Sequence, residues 1–430
     1  MRRLLTAVVA LVLATGAVPA TASDSLVSTI GPGYIATDNV EWLGNIPVNT
    51  DSAGGRLLDG YFYVSDDRGL TIYDVSTPEN PQRVGFAVVP QGPYYVEEDL
   101  DTNGRIALIG SYGDLAPNLG PLNRLLVVDV QDKTAPKVIG ELQGADSHTV
   151  SCVLDCTYAY NSNGQIIDLT DPANPKFTGT RWTTGTPVTG SHDVTEVAPG
   201  IVLTSSNPMV LLDANEDPAN PKVIGTGKPR DNRFMHGNLW PHEASDAFVL
   251  AGGETSLNCN STTSGAFMTW RPETNPDTGV TTMTMIDEYR VATGLPIDSS
   301  GNGTGNSPYN QFCAHWFDTH PTYADGGLVA MGWYEHGTRF LSVSDEGKIA
   351  EKGWFYPLGG STSAAYWITD EIVYAVDYQR GIDILRFTDA EAEGTVEASP
   401  SRGYVAPPAR VKLPRGALQA DPFACPLPGV

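Results

Sequence analysis

Short apolar runs that end in aspartate recur along the chain, and each leads into a turn rich in proline and asparagine. These runs occupy residues 70–74, 125–130, 166–168 and 210–213. A nearly identical phrase that closes on glycine follows each run, at residues 77–85, 132–140, 171–179 and 217–225. A repeat of about 40 to 55 residues built from strands and a proline-rich turn is typical of a β-propeller or a related β-array. The pattern therefore predicts an all-β repeat protein.

A second kind of segment, rich in tyrosine, valine and isoleucine, accompanies the runs. β-branched and aromatic residues bounded by Gly, Pro, Asn and Asp indicate strands. Segments of this kind lie at residues 61–64, 106–109, 157–160, 201–204, 247–250, 328–331 and 372–375. Their number predicts seven blades, each with four strands.

The last repeat, residues 361–387, contains only three predicted strands. Residues 40–44 near the other end read Val-Glu-Trp-Leu-Gly and match the outer-strand phrase Pro-Lys-Val-Ile-Gly. A strand from the opposite terminus removes the exposed sheet edges of the first and last blades. We therefore predict an all-β, seven-bladed β-propeller over residues 38–387, with four-stranded blades and a ring closed by an N-terminal strand.

The apolar runs also carry a family resemblance. Residues 125–130 (Leu-Leu-Val-Val-Asp-Val) and 166–175 (Ile-Ile-Asp-Leu-Thr-Asp-Pro-Ala-Asn-Pro) resemble the repeat of the LVIVD family, found in exported bacterial and archaeal propeller proteins. The resemblance extends over residues 38–387, is strongest up to residue 225, and is interrupted by long insertions in the fifth and sixth repeats. It implies a propeller fold and an extracellular location. It implies no particular activity, so function has to be argued from the site.

The two terminal segments lie outside the predicted propeller. Two arginines precede an apolar run over residues 4–18, and a small-x-small cleavage site ends at Ala22. This order is typical of a secretory signal peptide, here residues 1–22. Residues 388–430 are rich in Pro, Ala and Gly and lack strand-like alternation, so we expect a flexible tail. We predict a secreted, extracellular protein without membrane insertion.

The net charge of −24 restricts the partners that the protein can have. Nucleic acids and anionic membranes repel an acidic surface, so neither is an expected partner. A small molecule or an extracellular protein or glycan remains. The sequence contains no Gly-x-Ser-x-Gly elbow, phosphate-binding loop, Cys-x-x-Cys pair or dinucleotide fingerprint, and it identifies no catalytic residue.

The five cysteines fit an oxidising compartment. Cys152 and Cys156 flank a predicted hairpin turn and are placed to close it. Cys259 and Cys313 both lie in long insertions and form a second candidate pair, which leaves Cys425 in the tail. The sequence alone does not decide the connectivity.

Four of the seven histidines occupy one position relative to the predicted strands. His148 and His192 each precede the second strand of their repeat by nine residues, and His236 and His315 precede theirs by eleven and thirteen. This position begins the innermost strand, which lines the central channel of a propeller. Four consecutive blades would direct these imidazoles to one region, with Glu97 beside them.

This arrangement predicts a transition-metal site at the channel mouth. Imidazole is the commonest metal ligand and suits copper, zinc and iron, of which we expect copper first. The alternative is that the histidines bond to backbone carbonyls of neighbouring blades and fill the channel. His242 and His320 recur at similar offsets in the fifth and sixth repeats and are either further ligands, acid/base groups or turn residues. Calcium is not expected, because residues 99–104 resemble half of a calcium loop whose closing Glu is replaced by Gly110.

Arg68 and Arg380 fall in equivalent loops on the side of the ring without histidines, and His336 lies in the matching loop of the sixth repeat. Guanidinium groups offer forked donors to a carboxylate, phosphate or sulfonate. These three residues are candidate contacts for an anionic substrate, or else ordinary surface residues. Two hypotheses follow: a secreted metalloprotein, as a redox enzyme acting on a small substrate, or a non-catalytic extracellular binding propeller.

Overall fold

The computed structural model describes most of the predicted propeller. The described residues are 27–28, 33–47, 52–66, 68–88, 100–111, 123–145, 148–227, 234–254, 265–291 and 314–389. The predicted signal peptide, the tail beyond residue 389, Glu97, Cys259, Cys313 and Cys425 lie outside them. Among the residues described, none forms a helix long and apolar enough to cross a membrane.

The regular secondary structure of the described residues is almost entirely β-strand, with one helical turn, α1 (Pro241–Ala244). The N-terminal strands are β1 (Tyr34–Ala36) and β2 (Val40–Ile46). Three four-strand groups follow: β3 (Gly55–Leu58), β4 (Tyr61–Asp66), β5 (Gly69–Asp74) and β6 (Gln82–Val88); β7 (Asp101–Thr102), β8 (Ile106–Ser111), β9 (Arg124–Asp129) and β10 (Lys137–Gln143); β11 (Val150–Val153), β12 (Tyr158–Asn161), β13 (Gln165–Asp168) and β14 (Lys176–Arg181).

The second half of the chain continues the same order of strands. Its strands are β15 (Val194–Ala198), β16 (Ile201–Thr204), β17 (Met209–Asp213) and β18 (Lys222–Gly227); β19 (Phe234–Leu239), β20 (Val249–Glu254), β21 (Phe267–Thr274) and β22 (Thr281–Tyr289); β23 (Phe317–Thr319), β24 (Gly327–Gly332), β25 (Thr338–Val343) and β26 (Ile349–Pro357); β27 (Thr362–Trp367), β28 (Ile372–Asp377) and β29 (Gly381–Phe387). The predicted second strands coincide with β4, β8, β12, β16, β20, β24 and β28.

The strands form antiparallel four-stranded sheets in a propeller-like arrangement. β3–β6, β7–β10 and β11–β14 each make one sheet, and β15–β18 and β19–β22 are joined into one by a parallel pair between β18 and β22. β1 is added to β26 at the edge of the β23–β26 sheet, and β2 pairs with β29. The innermost strands of successive sheets contact one another. These contacts join β3 to β7, β7 to β11, β11 to β15, and β15 to β19.

Two of the glycines that end the repeated phrases, Gly85 and Gly140, have a packing reason. A Cβ on Gly85 would lie 2.0 Å from the carbonyl oxygen of Lys133, and one on Gly140 would lie 2.2 Å from that of Pro172. Those carbonyls belong to the proline-rich turn of the next sheet. Glycine therefore lets β6 and β10 approach the following turn, and a side chain in place of Gly85 or Gly140 would force the two sheets apart.

A β-bulge accompanies the glycine that ends the repeated phrase. The pairing register shifts by one residue immediately before it in β6, β10 and β18. β2 has the same shift immediately before Gly44. The predicted correspondence between residues 40–44 and the outer-strand phrase is therefore present in the structure, down to the bulge.

The N-terminal strand is fastened to the last sheet by side chains as well as by backbone pairing. β2 runs antiparallel to β29, from Val40 opposite Phe387 to Ile46 opposite Ile382. The Trp42 indole N–H donates to Asp383 Oδ1 at 2.8 Å. Asn45 Nδ2 donates to the same oxygen at 3.1 Å. This pairing is the one that the sequence predicted.

Apolar side chains fill the spaces between neighbouring sheets. Between the first and last sheets, Phe62 packs edge-on against Tyr374 with ring centroids 5.5 Å apart. The Tyr374 hydroxyl donates a hydrogen bond across this space to the carbonyl of Pro78, at 2.6 Å. Tyr160 donates in the same way to the carbonyl of Pro218 at 2.5 Å. The second-strand tyrosines thus bury a ring and link one sheet to the turn of another.

The first predicted cysteine pair forms a disulfide. Cys152 and Cys156 are joined across the turn between β11 and β12. The turn passes through left-handed backbone at Leu154, Asp155 and Cys156, with φ between 53° and 57°. Neighbouring sheets hold it in place, because Glu196 accepts the Leu154 N–H at 2.8 Å.

Candidate metal centre

The innermost strands bring the four equivalent histidines to one end of the sheets. His148, His192 and His315 each lie two residues before an innermost strand, namely β11, β15 and β23. His236 lies inside the corresponding strand β19. All four side chains are buried, and His236 and His315 are 0% exposed.

A β-bulge directs His236 to this region. Met235 pairs with Gly253 and Asn238 with Ala251, so His236 and Gly237 together face the single residue Gly252. Bulges re-aim side chains in this way, often beside functional sites. A Cβ on Gly237 would lie 2.8 Å from the Trp316 ring, so glycine is needed for that indole to pack beside His236.

The four imidazoles form one continuous row. Ring centroids are 4.7 Å apart for His148 and His192, 3.8 Å for His192 and His236, and 3.9 Å for His236 and His315. The Nε2 atoms of His148 and His192 approach to 3.0 Å. Trp316 lies against the middle of the row, with its ring 4.7 Å from that of His236. The structure thus places the four predicted histidines next to one another.

Backbone carbonyls set the tautomers of two of these rings. His192 Nδ1 lies 3.1 Å from the carbonyl oxygen of His236, and His315 Nδ1 lies 2.8 Å from that of Ser363. A carbonyl oxygen only accepts hydrogen bonds, so Nδ1 carries the proton in both rings. In the neutral form, each Nε2 then has a lone pair. A metal-binding histidine usually donates its other ring N–H to a carbonyl or carboxylate in this manner.

Glu254 completes a group of three potential metal ligands. One ligand atom from each of His192, His236 and Glu254 lies within 4.8 Å of the others, and all three side chains are buried. Glu254 ends β20 and is 4% exposed. Glu254 was not among the ligands predicted from the sequence. The available signal was a carboxylate that ends an otherwise apolar run, Val-Leu-Ala-Gly-Gly-Glu at residues 249–254.

The donor set of this group suits a transition metal. Two imidazoles and one carboxylate are the ligands of catalytic zinc sites and of non-haem iron sites, and imidazole also suits copper. Glu254 accepts a hydrogen bond from the Tyr334 hydroxyl at 2.7 Å, which orients its carboxylate. A carboxylate can accept at about four lone-pair sites, so this bond leaves lone pairs for an ion.

The structure places His242 and His320 away from this row. His242 is exposed on α1, and its Nε2 contacts the carbonyl oxygen of Tyr323. His320 contacts Thr322 Oγ1 and the carbonyl oxygen of Asp370, and its ring packs on Trp367. Both rings bond to loop atoms, which corresponds to the turn-residue alternative of the sequence analysis. Glu97, the remaining predicted ligand, lies outside the described residues.

The three predicted anion contacts have different surroundings. Arg380 is buried and forms a two-pronged ion pair with Asp383, at 2.8 Å from Nε and 3.0 Å from Nη2. Its Nη1 donates to the carbonyl of Gly33 at 3.1 Å. Every nitrogen of its guanidinium is thus engaged within the fold, and its contact with an anionic substrate stays a prediction.

The other two remain predictions as well. Arg68 lies on the exposed turn between β4 and β5, where it pairs with Asp66. His336 is buried in the turn between β24 and β25, with its ring 6.3 Å from that of Tyr356. Of the two, only Arg68 presents an exposed side chain.

Burial raises the pKa of Asp377 to about 6, and the nearby charge of Asp383 acts in the same direction. Because the folded-state pKa lies above the ordinary value of 3.8, the stability from this carboxyl is greatest at acidic pH and is lost as pH rises through about 6. We expect Asp377→Asn to keep the bonds from Gln379 and Arg380 N–H. Relative to the wild type, the variant should gain stability as pH rises from about 4 to about 6. Urea unfolding of both proteins at several pH values measures this, and a pH-independent difference would contradict it.

Comparison with known proteins gives two distant structural likenesses and one match to a repeat family. No curated protein matches the sequence significantly. A functionally unknown protein from Desulfotomaculum acetoxidans DSM 771 is similar over 71% of this chain and 90% of its own, with 13% identity and a TM-score of 0.46. Chaetomium thermophilum Raptor is similar over 83% of this chain and 30% of its own, with 10% identity and a TM-score of 0.48. Residues 56–86, which span β3 to β5 and most of β6, match the LVIVD repeat family, so the chain carries a repeat of this propeller-associated family.

Proposed function

We propose that this protein is an exported metalloprotein that binds one transition-metal ion between His192, His236 and Glu254. The observation that carries the proposal is the approach of these three buried ligand atoms to within 4.8 Å of one another. Ligand bonds of about 2.0–2.2 Å place donors of one ion roughly 3–4 Å apart, so small side-chain rotations are sufficient. His148 and His315 flank the group and are candidates for a fourth ligand.

The scaffold that we propose is a seven-bladed propeller closed by β2. Seven groups of four strands support it, six formed by consecutive strands from β3 to β26 and one formed by β27–β29 with β2. In such a ring the ends of the innermost strands converge on the axis. Because His236 and Glu254 lie in strands and His192 lies two residues before one, the site would be rigid before an ion arrives.

Copper is the ion that we propose, with zinc and iron as alternatives. Imidazole-rich sites bind divalent copper more tightly than zinc or iron, following the general order of transition-metal affinities. A bound copper ion would supply one-electron chemistry, and we propose an oxidoreductase that acts on a small molecule. The chain's own residues would hold the ion, exclude water through Trp316 and the buried row, and leave Arg68 as the exposed cation for an anionic substrate.

Metal content is the direct test. The full chain is exported from a host grown with copper, zinc and iron, dialysed against a weak chelator, and examined by elemental analysis. We expect about one transition-metal ion per chain, with copper preferred when the three metals compete. Protein that retains none of them would contradict the proposal and favour the non-catalytic binding propeller.

A further inference from the structure

Tyr334 lies beside the proposed metal site and comes from a different sheet than Glu254. It sits in the turn between β24 and β25 and is 1% exposed. Its ring is 4.6 Å from that of His315 and stacks on Tyr378, with centroids 6.2 Å apart and planes inclined by 14°. The phenol is therefore fixed on both sides, and its hydroxyl reaches Glu254 at the end of β20.

The backbone of Tyr334 is held in an unfavourable conformation. Its φ is +45°, in the left-handed region that bulky residues seldom adopt. Such conformations are strained and persist where the surroundings impose them. Here Tyr334 exchanges two backbone hydrogen bonds with Thr362, at 2.9 and 2.8 Å. The neighbouring sheet thus fixes an uncommon turn that presents this side chain to the site.

We propose that Tyr334 is a positioning residue that holds Glu254 in the orientation required of a metal ligand. The inference rests on the proposed function. The hydroxyl donates to Glu254 Oε1 at 2.7 Å, and the bond joins two sheets, so it restricts rotation of a carboxylate that stands beside His192 and His236. Partners that orient a ligand in this way typically change metal affinity about 10- to 100-fold.

The test compares Tyr334→Phe with Tyr378→Phe, the matched control from the same stacked pair. Phenylalanine keeps the ring, its packing and the turn, and removes only the hydroxyl. Cobalt(II) serves as the probe, because its visible spectrum reports coordination, and zinc(II) competition gives the affinity. We expect Tyr334→Phe to weaken binding about 10- to 100-fold and to alter the cobalt spectrum. Tyr378→Phe should leave both unchanged.

A double-mutant cycle with Glu254→Gln separates positioning from general destabilisation. If Tyr334 acts through Glu254, Tyr334→Phe should have little further effect on affinity in the Glu254→Gln background. Full additivity of the two effects would overturn the inference. If circular dichroism shows that Tyr334→Phe does not fold, the cobalt spectrum of Glu254→Gln is compared with that of the wild type instead. An unchanged spectrum would mean that Glu254 is not a ligand, which would overturn the inference.

The outcomes also separate the two proposals. Wild-type protein that binds neither cobalt nor zinc would overturn the metal site and the role of Tyr334 together. Wild-type protein that binds both, with Tyr334→Phe indistinguishable from it, would overturn the role of Tyr334 alone.

Discussion

Replacing His192 and His236 together by alanine is expected to abolish metal binding while the fold survives. These residues supply two of the three clustered ligand atoms. Because loss of an orienting partner alone costs about 10- to 100-fold in affinity, loss of two ligands should exceed that range. The sheets are held by backbone pairing and by apolar packing between neighbours, so the ion is not required for folding. Elemental analysis and melting temperature on the same preparations measure both effects.

The control for this experiment is His320→Ala. His320 bonds to Thr322 and to the carbonyl of Asp370, outside the row of four histidines. Its removal should leave metal content at the wild-type level. The double variant should melt lower than this control, because two buried rings leave cavities that cost on the order of 2–4 kcal/mol each. Full metal retention in the double variant would show that the row is structural packing.

Asp383→Ala is expected to lower the free energy of unfolding by about 3–5 kcal/mol, because removing one partner of a buried ion pair leaves the other charge uncompensated. Arg380 and Asp383 are 5% and 1% exposed. The carboxylate also accepts hydrogen bonds from Trp42 and Asn45 of the N-terminal strand. Urea unfolding gives the free energy, and hydrogen exchange in Val40–Ile46 should accelerate as β2 loosens.

Glu371→Ala is the matched comparison, since it removes an exposed partner of Arg386 at 3.8 Å on the same sheet. Exposed ion pairs contribute about 0–1 kcal/mol, so the expected loss is small. Equal losses in the two variants would contradict a structural role for the Arg380–Asp383 pair. A lower free energy of unfolding in Asp383→Ala, with hydrogen exchange in Val40–Ile46 unchanged, would show that the Arg380–Asp383 pair does not stabilise the pairing of β2 with β29.

The predictions from sequence were most accurate where a feature repeats. The second strands and the pairing of Val40–Ile46 with Gly381–Phe387 agree with the structure. The equivalence of the four histidines also follows from their spacing to the strands, and the structure places their rings in contact. The role of these rings as metal ligands remains a prediction.

The non-repeating residues were harder to place. Arg380 resembled Arg68 in its local Arg-Gly sequence, yet it is buried against Asp383 while Arg68 is exposed. Only the tertiary structure distinguishes them, because β2 pairs with β29 and brings Trp42 and Asn45 to Asp383. Glu254 was not singled out, because a carboxylate also ends the second strands β4 and β28, as Asp66 and Asp377, so its place in the repeat did not distinguish it.

The sequence by itself determined the all-β class, the strand positions, the N-terminal pairing and the row of equivalent histidines. Apolar runs, phrase-ending glycines and proline-rich turns are local features of the sequence, and they recur from one repeat to the next. Only the tertiary structure decided that Glu254 joins His192 and His236, that Tyr334 reaches Glu254, and that Arg380 is engaged within the fold. Those contacts connect residues that are distant along the chain, and they depend on how neighbouring sheets pack, which no local pattern encodes.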